Sequence, residues 1–579
     1  MQVDEGERWL HLESPNRVLE ARYPCQVADI LREVEELTRR HGLHAAGFVT
    51  YEAGAAFGLD VREGDAALPL AWFALFDPAN VREIAAPEPS APFEVGELRP
   101  SMEWPAFQSA FERIRERLAN GDTYQVNFTL HLHGAFHGDA HSFFAELSRA
   151  QQGRYSALLR LGPLTICSAS PELFFARRGP QIWARPMKGT APRGRTVAED
   201  ERQADTLRTS EKERAENVMV VDMMRSDLGR IAATGSVDVP RLFVTERYPT
   251  LWQMTSDIVA RTGASLADVF AATFPSASIT GAPKVRTMQI IKELEPGPRG
   301  VYTGAIGYVA PDGNAQFSVA IRTAVIDHAT EQLTFGIGSG VVWDSDPKRE
   351  YDECLLKAEV LRRRTPPFEL LETLRWTPGS GYFLLDRHLD RLQASAHYFG
   401  ITCSLDDVRA TLISLVAPYG VSGFSRTALR VRLLVDHRGR PTVESAPLSL
   451  SAEPTRVVLA DAPIDPSDPF LFHKTTNRAQ YERAQGTARE EVILWNPQRQ
   501  VTESAIANIV IERDGRKITP PVECGLLAGT FRAELLARGE IQEGSVTIDE
   551  LRAAPRFWLI NSVREWREAV FDDFGSVRL

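Results

Sequence analysis

At residues 362–367 the chain reads RRRTPP. This charged, proline-bearing run interrupts strands and helices that alternate from about residue 105. Proline supplies no N–H and resists both helix interiors and central strands, so such a run marks a boundary. FELLETLRW follows and opens a new strand-like run. With 579 residues the chain is too long for one core. The expected division is 1–104, 105–362, a linker at 363–367, and 368–579. VADILREVEELTRRHG at 27–42 has helical spacing with Gly42 as a stop, and HLDRLQASAHYFG at 388–400 reads as an amphipathic helix. AAPEPSAPFEVGELRP at 85–100 reads as a linker or surface crossing.

Composition narrows the partners. The net charge of -11, with acids and bases interspersed, offers no basic footprint for nucleic acid. Anionic substrates must then be held by local groups rather than by the overall field. Cys25, Cys167, Cys354, Cys403 and Cys524 form no CxxC pair, which argues against a disulfide framework or zinc site and for a reducing cytoplasm. The start, MQVDEGERWL, lacks an apolar signal core, and no stretch approaches the ~20 apolar residues that span a bilayer.

Two helix starts carry acidic pairs. In SEKERAENVMVVDMMRSDLGRIA, Glu213 and Glu216 lie three apart and project from one face. In DSDPKREYDECLLKAEVL, Asp346 can cap the helix, Pro347 suits its first turn, and Glu350 and Glu353 repeat the spacing. Brought together, the two pairs offer hard oxygen ligands for magnesium. Ordinary roles compete: Ser210 with Glu213 is a capping box, and Glu353 can pair with Lys357. The glycines at 336, 338 and 340 feed an apolar run, VVW, rather than a helix, so they are no dinucleotide loop. They read as tight turning between strands, or as backbone N–H donors to a carboxylate.

With these helices come GDTYQVNFTL (121–130), SASPELFF (168–175), ARPMKGTAPRG (184–194), FPSASITGAPKVRTM (274–288), YTGAIGY (302–308), FSVAIRT (317–323) and FGIGSGVVWDSDP (335–347). In this order they resemble the chorismate-utilising enzymes: the anthranilate, isochorismate, salicylate and aminodeoxychorismate synthases. The resemblance implies an α+β domain, a β-sandwich with helices, that works with Mg2+. It implies Glu216 and Glu353 as metal ligands, with Glu213 and Glu350 supporting through water. It implies Tyr302, Arg322, Thr280, Gly281, Gly338, Gly340 and Lys357 as substrate contacts. Alone, Lys188 would read as a surface lysine. In PMKGT it resembles the nucleophile of aminodeoxychorismate synthases, where anthranilate synthases typically carry Ala. Glu172 in SPELF is then the acid that protonates the departing hydroxyl. Gln253 stands where family members often carry His. HLESP at 11–15 is similar to a tryptophan-binding segment of some relatives, or is an edge strand.

After Phe368, the motifs FLLDRHLDRLQASAHYFG (383–400), FHKTTNRAQY (472–481), VTESAIANIVI (501–511) and CGLLAGTFRAELL (524–536) resemble the fold-type IV pyridoxal-phosphate enzymes. These comprise class IV aminotransferases and aminodeoxychorismate lyase, with a two-subdomain α+β fold. The resemblance implies that Lys474 bonds to pyridoxal 5'-phosphate and that Glu503 meets the pyridine nitrogen. It implies that Arg391, Gly529, Thr530 and Ser562 hold the phosphate, aided by a helix starting after Gly529. Singly, these charged residues read as solvent-facing.

Joined, the halves imply consecutive steps from chorismate and ammonia to 4-aminobenzoate. No glutaminase nucleophile loop is visible, so a separate glutamine amidotransferase subunit is expected, as is a homodimer through the second half. The alternative is an isochorismate, salicylate or anthranilate synthase fused to a class IV aminotransferase.

Overall fold

The computed structural model describes residues 1–361, 366–421, 428–449 and 453–571. The chain forms two compact units: Met1–Pro192 with Ala204–Thr365, and Arg193–Gln203 with Pro366–Leu579. Of the RRRTPP run, 362–365 lie outside the described residues.

The first unit contains two large antiparallel sheets. One has ten strands and the other eight. Strands Arg17–Ala21, His44–Val49 and Ala71–Phe76 belong to the same ten-stranded sheet as Leu173–Arg178, Met187–Pro192 and Leu251–Arg261, so the first hundred residues and those after them share one framework. Side chains alternate along a strand. Phe48 and Ile306 therefore meet Ala157, Leu159 and Ile166 of the eight-stranded sheet, while Val49 and Ala305 point into the opposite core. That outer core packs helices Pro24–His41, Glu211–Gly229 and Leu266–Thr273 against the ten-stranded sheet around Phe174, Phe175, Phe270 and Phe317. A second outer core packs Trp104–Ala119, Ala140–Gln151, Lys284–Leu294 and Pro347–Ala358 against the eight-stranded sheet. Layers of helix, sheet, sheet and helix result, because each sheet has two apolar faces to cover.

Local signals hold at several places. Helix Pro24–His41 buries Val27, Leu31, Val34 and Thr38 on one stripe and stops at Gly42 in the left-handed region. The 85–100 crossing contributes short strands Phe93–Val95 and Arg99–Pro100, both paired with Gln125–Gly138. His11 and Leu12 end strand Arg8–Leu12, which is the middle of a three-stranded sheet rather than an edge.

The second unit has two sheets. Leu370–Thr377, Gly381–Tyr382, Leu429–Val435 and Pro441–Pro447 form an antiparallel sheet packed on helices Leu385–Phe399 and Leu405–Val421. In the second sheet, Val501–Ser504 also pairs with Asn508–Arg513, through Glu503 opposite Asn508. This closes six strands into a ring around Val457, Ile493, Ile509 and Leu559. Within this unit, the Tyr398 hydroxyl donates to the Gly194 carbonyl at 2.8 Å, and the Arg193 guanidinium stacks over the Tyr398 ring.

Candidate active sites

In the first unit, strand Met187–Pro192 runs against Leu251–Arg261. Met187 pairs with Thr255 and Thr190 with Gln253, so Lys188 and Gly189 together oppose Met254. This is a β-bulge, which bends a strand and re-aims a side chain. Gly189 supplies the positive φ of +96° that the bulge needs. The Lys188 amine is thereby turned toward Gly340: a Cβ built there would lie 2.5 Å from Nζ and 3.2 Å from Nε2 of Gln125. Burial lowers the affinity of Lys188 for its proton. The Glu216 carboxylate opposes this, Lys357 adds to it, and Glu172 and Glu353 oppose it more weakly.

Gly336, Gly338 and Gly340 are not turns. They lie inside strand Gln332–Val341, two apart and therefore on one face. That face is bare so that other groups can approach. A Cβ on Gly336 would enter the Tyr302 ring, and one on Gly338 would meet the Phe128 carbonyl at 2.8 Å. The intervening Ile337 packs into the core behind.

Around this face stand the other residues expected from the sequence. Glu172 is buried and accepts a hydrogen bond from Ser278 at 2.5 Å; burial pushes its carboxyl up to about 7. Thr280 is buried, and its carbonyl accepts from the Asn127 N–H at 2.8 Å. At Gly281 a Cβ would lie 2.0 Å from the Gln125 carbonyl, so only glycine permits this strand approach. Tyr302 is buried, and Arg322 donates to the Lys357 carbonyl at 2.8 Å. The Lys357 amine is taken up by Glu353 at 2.7 Å and the Gly338 carbonyl at 2.8 Å.

Ser210 caps the helix of Glu213 and Glu216, and Asp346 caps that of Glu350 and Glu353. Burial raises the pKa values of Glu216 and Glu350. Glu350 accepts from Ser345 at 2.7 Å. Burial also acts on Glu353, but the Lys357 ion pair prevails and lowers its pKa. Glu213 and Glu353 are each close enough to Glu216 to disturb its titration. Four carboxylates on two helix starts have the chemistry of a hard divalent-cation site. As the side chains stand, no three His, Cys, Asp or Glu side chains among the described residues are gathered into a metal cluster.

Three residues of this site had not been singled out from the sequence. Gln125 is buried, and neither its amide oxygen nor its nitrogen has a partner among the described residues. Its presence in GDTYQVNFTL was the available signal. Asn217 and Ser278 follow from neither periodicity nor spacing.

In the second unit, the Leu371 N–H donates to the Lys474 carbonyl at 3.0 Å, docking the Lys474 segment on strand Leu370–Thr377. Burial lowers the Lys474 pKa to about 8, helped by Arg391 and opposed by Glu372; Arg478 and Glu503 act more weakly. Arg391 makes a two-pronged ion pair with Glu372, at 2.8 and 2.7 Å, and reaches the Ala528 carbonyl at 3.3 Å. His388 bridges Glu372 at 2.7 Å and the Thr530 hydroxyl at 3.3 Å. Burial lowers its pKa against the opposing pull of Glu372. In the neutral ring, Nδ1–H donates to the carboxylate and Nε2 accepts from Thr530.

Glu503 accepts from Tyr481 at 2.7 Å, the Leu527 N–H at 3.0 Å and Asn508 at 3.3 Å, and burial raises it to about 7. Gly529 caps helix Thr530–Ala537, and a Cβ there would lie 2.1 Å from Oδ1 of Asn508. Ser562 is buried. A lysine titrating near 8, a buried carboxylate, and a cation beside a helix start with no room for a side chain form a donor set that fits pyridoxal phosphate. Glu372, His388 and Tyr481 extend the set found from sequence.

Residues 5–363 match the family described as chorismate binding enzyme, and residues 369–570 match amino-transferase class IV. Over 256 residues the chain is 44% identical to aminodeoxychorismate synthase component 1 of Escherichia coli, covering 44% of this chain and 56% of that protein. Over 259 residues it is 39% identical to anthranilate synthase component 1 of Aquifex aeolicus, covering 44% and 52%. The chain thus spans about half the length of these curated relatives. The structure of anthranilate synthase component I from Streptococcus pneumoniae superposes with a TM-score of 0.53 at 25% identity, covering 62% of this chain and 92% of that one. Among the described residues no helix is long and apolar enough to cross a membrane.

Proposed function

Because this chain belongs to the chorismate binding enzyme family, we propose that its first unit makes 4-amino-4-deoxychorismate from chorismate and ammonia. In this reading the second unit releases pyruvate from that product to give 4-aminobenzoate, a folate precursor. The observation that supports it is the Lys188 amine: it is turned inward by a bulge, drawn toward neutrality by burial, and faced by Glu172 and the acidic helix starts.

The first reaction divides one difficult replacement into two displacements. The neutral Lys188 amine forms a bond to ring C2 as the ring double bonds shift and the C4–oxygen bond breaks. Glu172, protonated near neutral pH, gives its proton to the departing oxygen, which leaves as water. The alkylated nitrogen returns a proton to the carboxylate. Ammonia then bonds to C4 as the double bonds shift back, Glu172 gives its proton to the departing Lys188 nitrogen, and the new C4 ammonium returns one to the carboxylate. Tyr302 and Arg322 orient one substrate carboxylate, and Gln125 offers its amide beside Gly340 and Lys188. Glu213, Glu216, Glu350 and Glu353 would hold Mg2+, whose charge would bind the other carboxylate.

Pyridoxal phosphate supplies the second unit with an electron sink. Lys474 would hold it, and the free Lys474 amine would take the substrate's C4 proton. Glu503, fixed by Tyr481, Asn508 and the Leu527 N–H, would meet the pyridine nitrogen. Arg391, Gly529, Thr530 and Ser562 would hold the phosphate. Breaking the bond between the ring carbon and the enolpyruvyl oxygen leaves 4-aminobenzoate and an enol that takes the abstracted proton at its methylene to become pyruvate. The same reading includes a separate ammonia-supplying glutaminase, a homodimer through the second unit and a cytoplasmic location.

The test is to incubate the purified chain with chorismate, an ammonium salt, Mg2+ and pyridoxal phosphate and to identify the products. 4-Aminobenzoate with equimolar pyruvate is expected, and Lys474→Ala should stop at aminodeoxychorismate. Isochorismate, salicylate or anthranilate as the product overturns the reading of the first unit. Reduced cofactor formed on adding an amino-acid donor overturns that of the second.

A further inference from the structure

The bulge that aims Lys188 raises a question of support. In a regular antiparallel ladder one of the two carbonyls of Lys188 and Gly189 would be held by the neighbouring strand. Here two residues oppose one, and the regular pattern is broken where the reacting side chain emerges. A buried carbonyl needs a donor. Both donors are side-chain amides, and they come from two different elements. Asn217, on helix Glu211–Gly229, donates to the Lys188 carbonyl at 3.1 Å. Gln253, on strand Leu251–Arg261, donates to the Gly189 carbonyl at 2.9 Å.

Asn217 is itself fixed. Its amide oxygen accepts from the Ser256 hydroxyl at 2.6 Å, and the Ser256 oxygen accepts from the Phe243 N–H at 3.2 Å. Asn217 is 1% exposed, so its amide is not exchanging with bulk water. An amide can donate from one end and accept at the other, which this position uses and which a carboxylate or hydrocarbon cannot reproduce. The space beside Gly189 is closed by Glu213 and Met254, whose atoms would come within 3.2 and 3.3 Å of a Cβ. The peptide groups on either side of Gly189 are therefore each held by a side-chain amide, while the lysine side chain reaches Gly340.

We propose that Asn217 and Gln253 form an amide clip that positions Lys188 for attack on the substrate ring. Gln253 occupies the place where family members often carry His, and its structural use is to hold backbone. Asn217 ties the aim of the nucleophile to the helix that carries Glu213 and Glu216. Both act as positioning residues through Lys188, and the inference rests on the assignment of Lys188 as the nucleophile.

The test uses the full chain with Gln253→Met, which keeps side-chain length but has no donor, and with Asn217→Leu. Four quantities are read: kcat for aminodeoxychorismate, the chorismate KM, the Mg2+ concentration for half activation, and the rate at which the Lys188 peptide gains the mass of chorismate less water when ammonia is withheld. A displacement of about 1 Å at a reacting atom costs on the order of 100-fold. We therefore expect kcat and the mass-gain rate to fall together by roughly 10- to 100-fold, with KM, Mg2+ requirement and melting temperature unchanged. Gln253→Met is remote from the acidic helices along the chain, so it guards against an Asn217 effect that merely disturbs Glu216. Variants that gain the mass at the wild-type rate overturn the clip alone, as does a loss confined to KM or to the Mg2+ requirement. A wild-type chain that makes product without ever gaining the mass overturns the Lys188 assignment and the clip with it.

Discussion

Gly340→Ala is the substitution that most directly probes where the Lys188 amine stands. An alanine Cβ at 340 would sit 2.5 Å from Nζ, whereas ordinary contact begins at 3.4 Å, so the amine must withdraw by about 1 Å. The obstructing atom is the end of a flexible side chain, and the next contact, Nε2 of Gln125, is 3.2 Å away. The backbone need not move, and thermal stability should stay near wild type. Catalysis should not. A misplacement of about 1 Å costs on the order of 100-fold in rate, or about 2.7 kcal/mol of barrier at about 1.36 kcal/mol per tenfold. Steady-state formation of aminodeoxychorismate with saturating ammonium and Mg2+ measures this, with the loss expected in kcat. Gly338→Ala is the contrasting control. Its Cβ would meet the Phe128 carbonyl at 2.8 Å, and backbone cannot swing aside. It should lower stability by ~1–3 kcal/mol, as overpacking does. Wild-type kcat in Gly340→Ala, or a loss carried wholly by KM, would refute the placement of the amine against that glycine.

Two further predictions concern protons. Burial raises Glu172 to about 7, so the acid form that the first reaction needs disappears as pH rises through about 7. Turnover of the first unit should fall on that limb, and Glu172→Gln should remove the limb while lowering kcat by roughly 100- to 10,000-fold. Burial lowers Lys474 to about 8, so its neutral, bonding form grows as pH rises toward 8 and is nearly complete above it. Capture of pyridoxal phosphate by cofactor-free chain, followed by absorbance, should speed up across that window and then level off. An ordinary lysine would keep accelerating toward 10.5, and Lys474→Ala should show no capture band.

Particular residues show how far the sequence could be read. The caps Ser210 and Asp346, the stop at Gly42 and the helix ending at Gly400 were legible because each depends on neighbours within a turn. For Gly336, Gly338 and Gly340 the sequence allowed either turns or backbone donors to a carboxylate, and the strand they occupy excludes the turns. Their spacing of two is also the period of one strand face, and only the strand they occupy selects between these readings. The Lys357–Glu353 pair could be anticipated at i,i+4, but not the carbonyl of Gly338 that shares the same amine.

By itself, the amino-acid order determined the local elements, the apolar stripes that had to be covered, and the identity of the motifs carrying Lys188 and Lys474. Those depend on period, on caps and on residues close along the chain. The bulge under Lys188, the amides that hold it, the Gln125 amide left without a partner among the described residues and the Glu372 grip on Arg391 were decided only in three dimensions. Each is a meeting of groups far apart in sequence, or a register in which two residues face one. Burial that moves a proton affinity likewise belongs to the packed state and is written in no single residue.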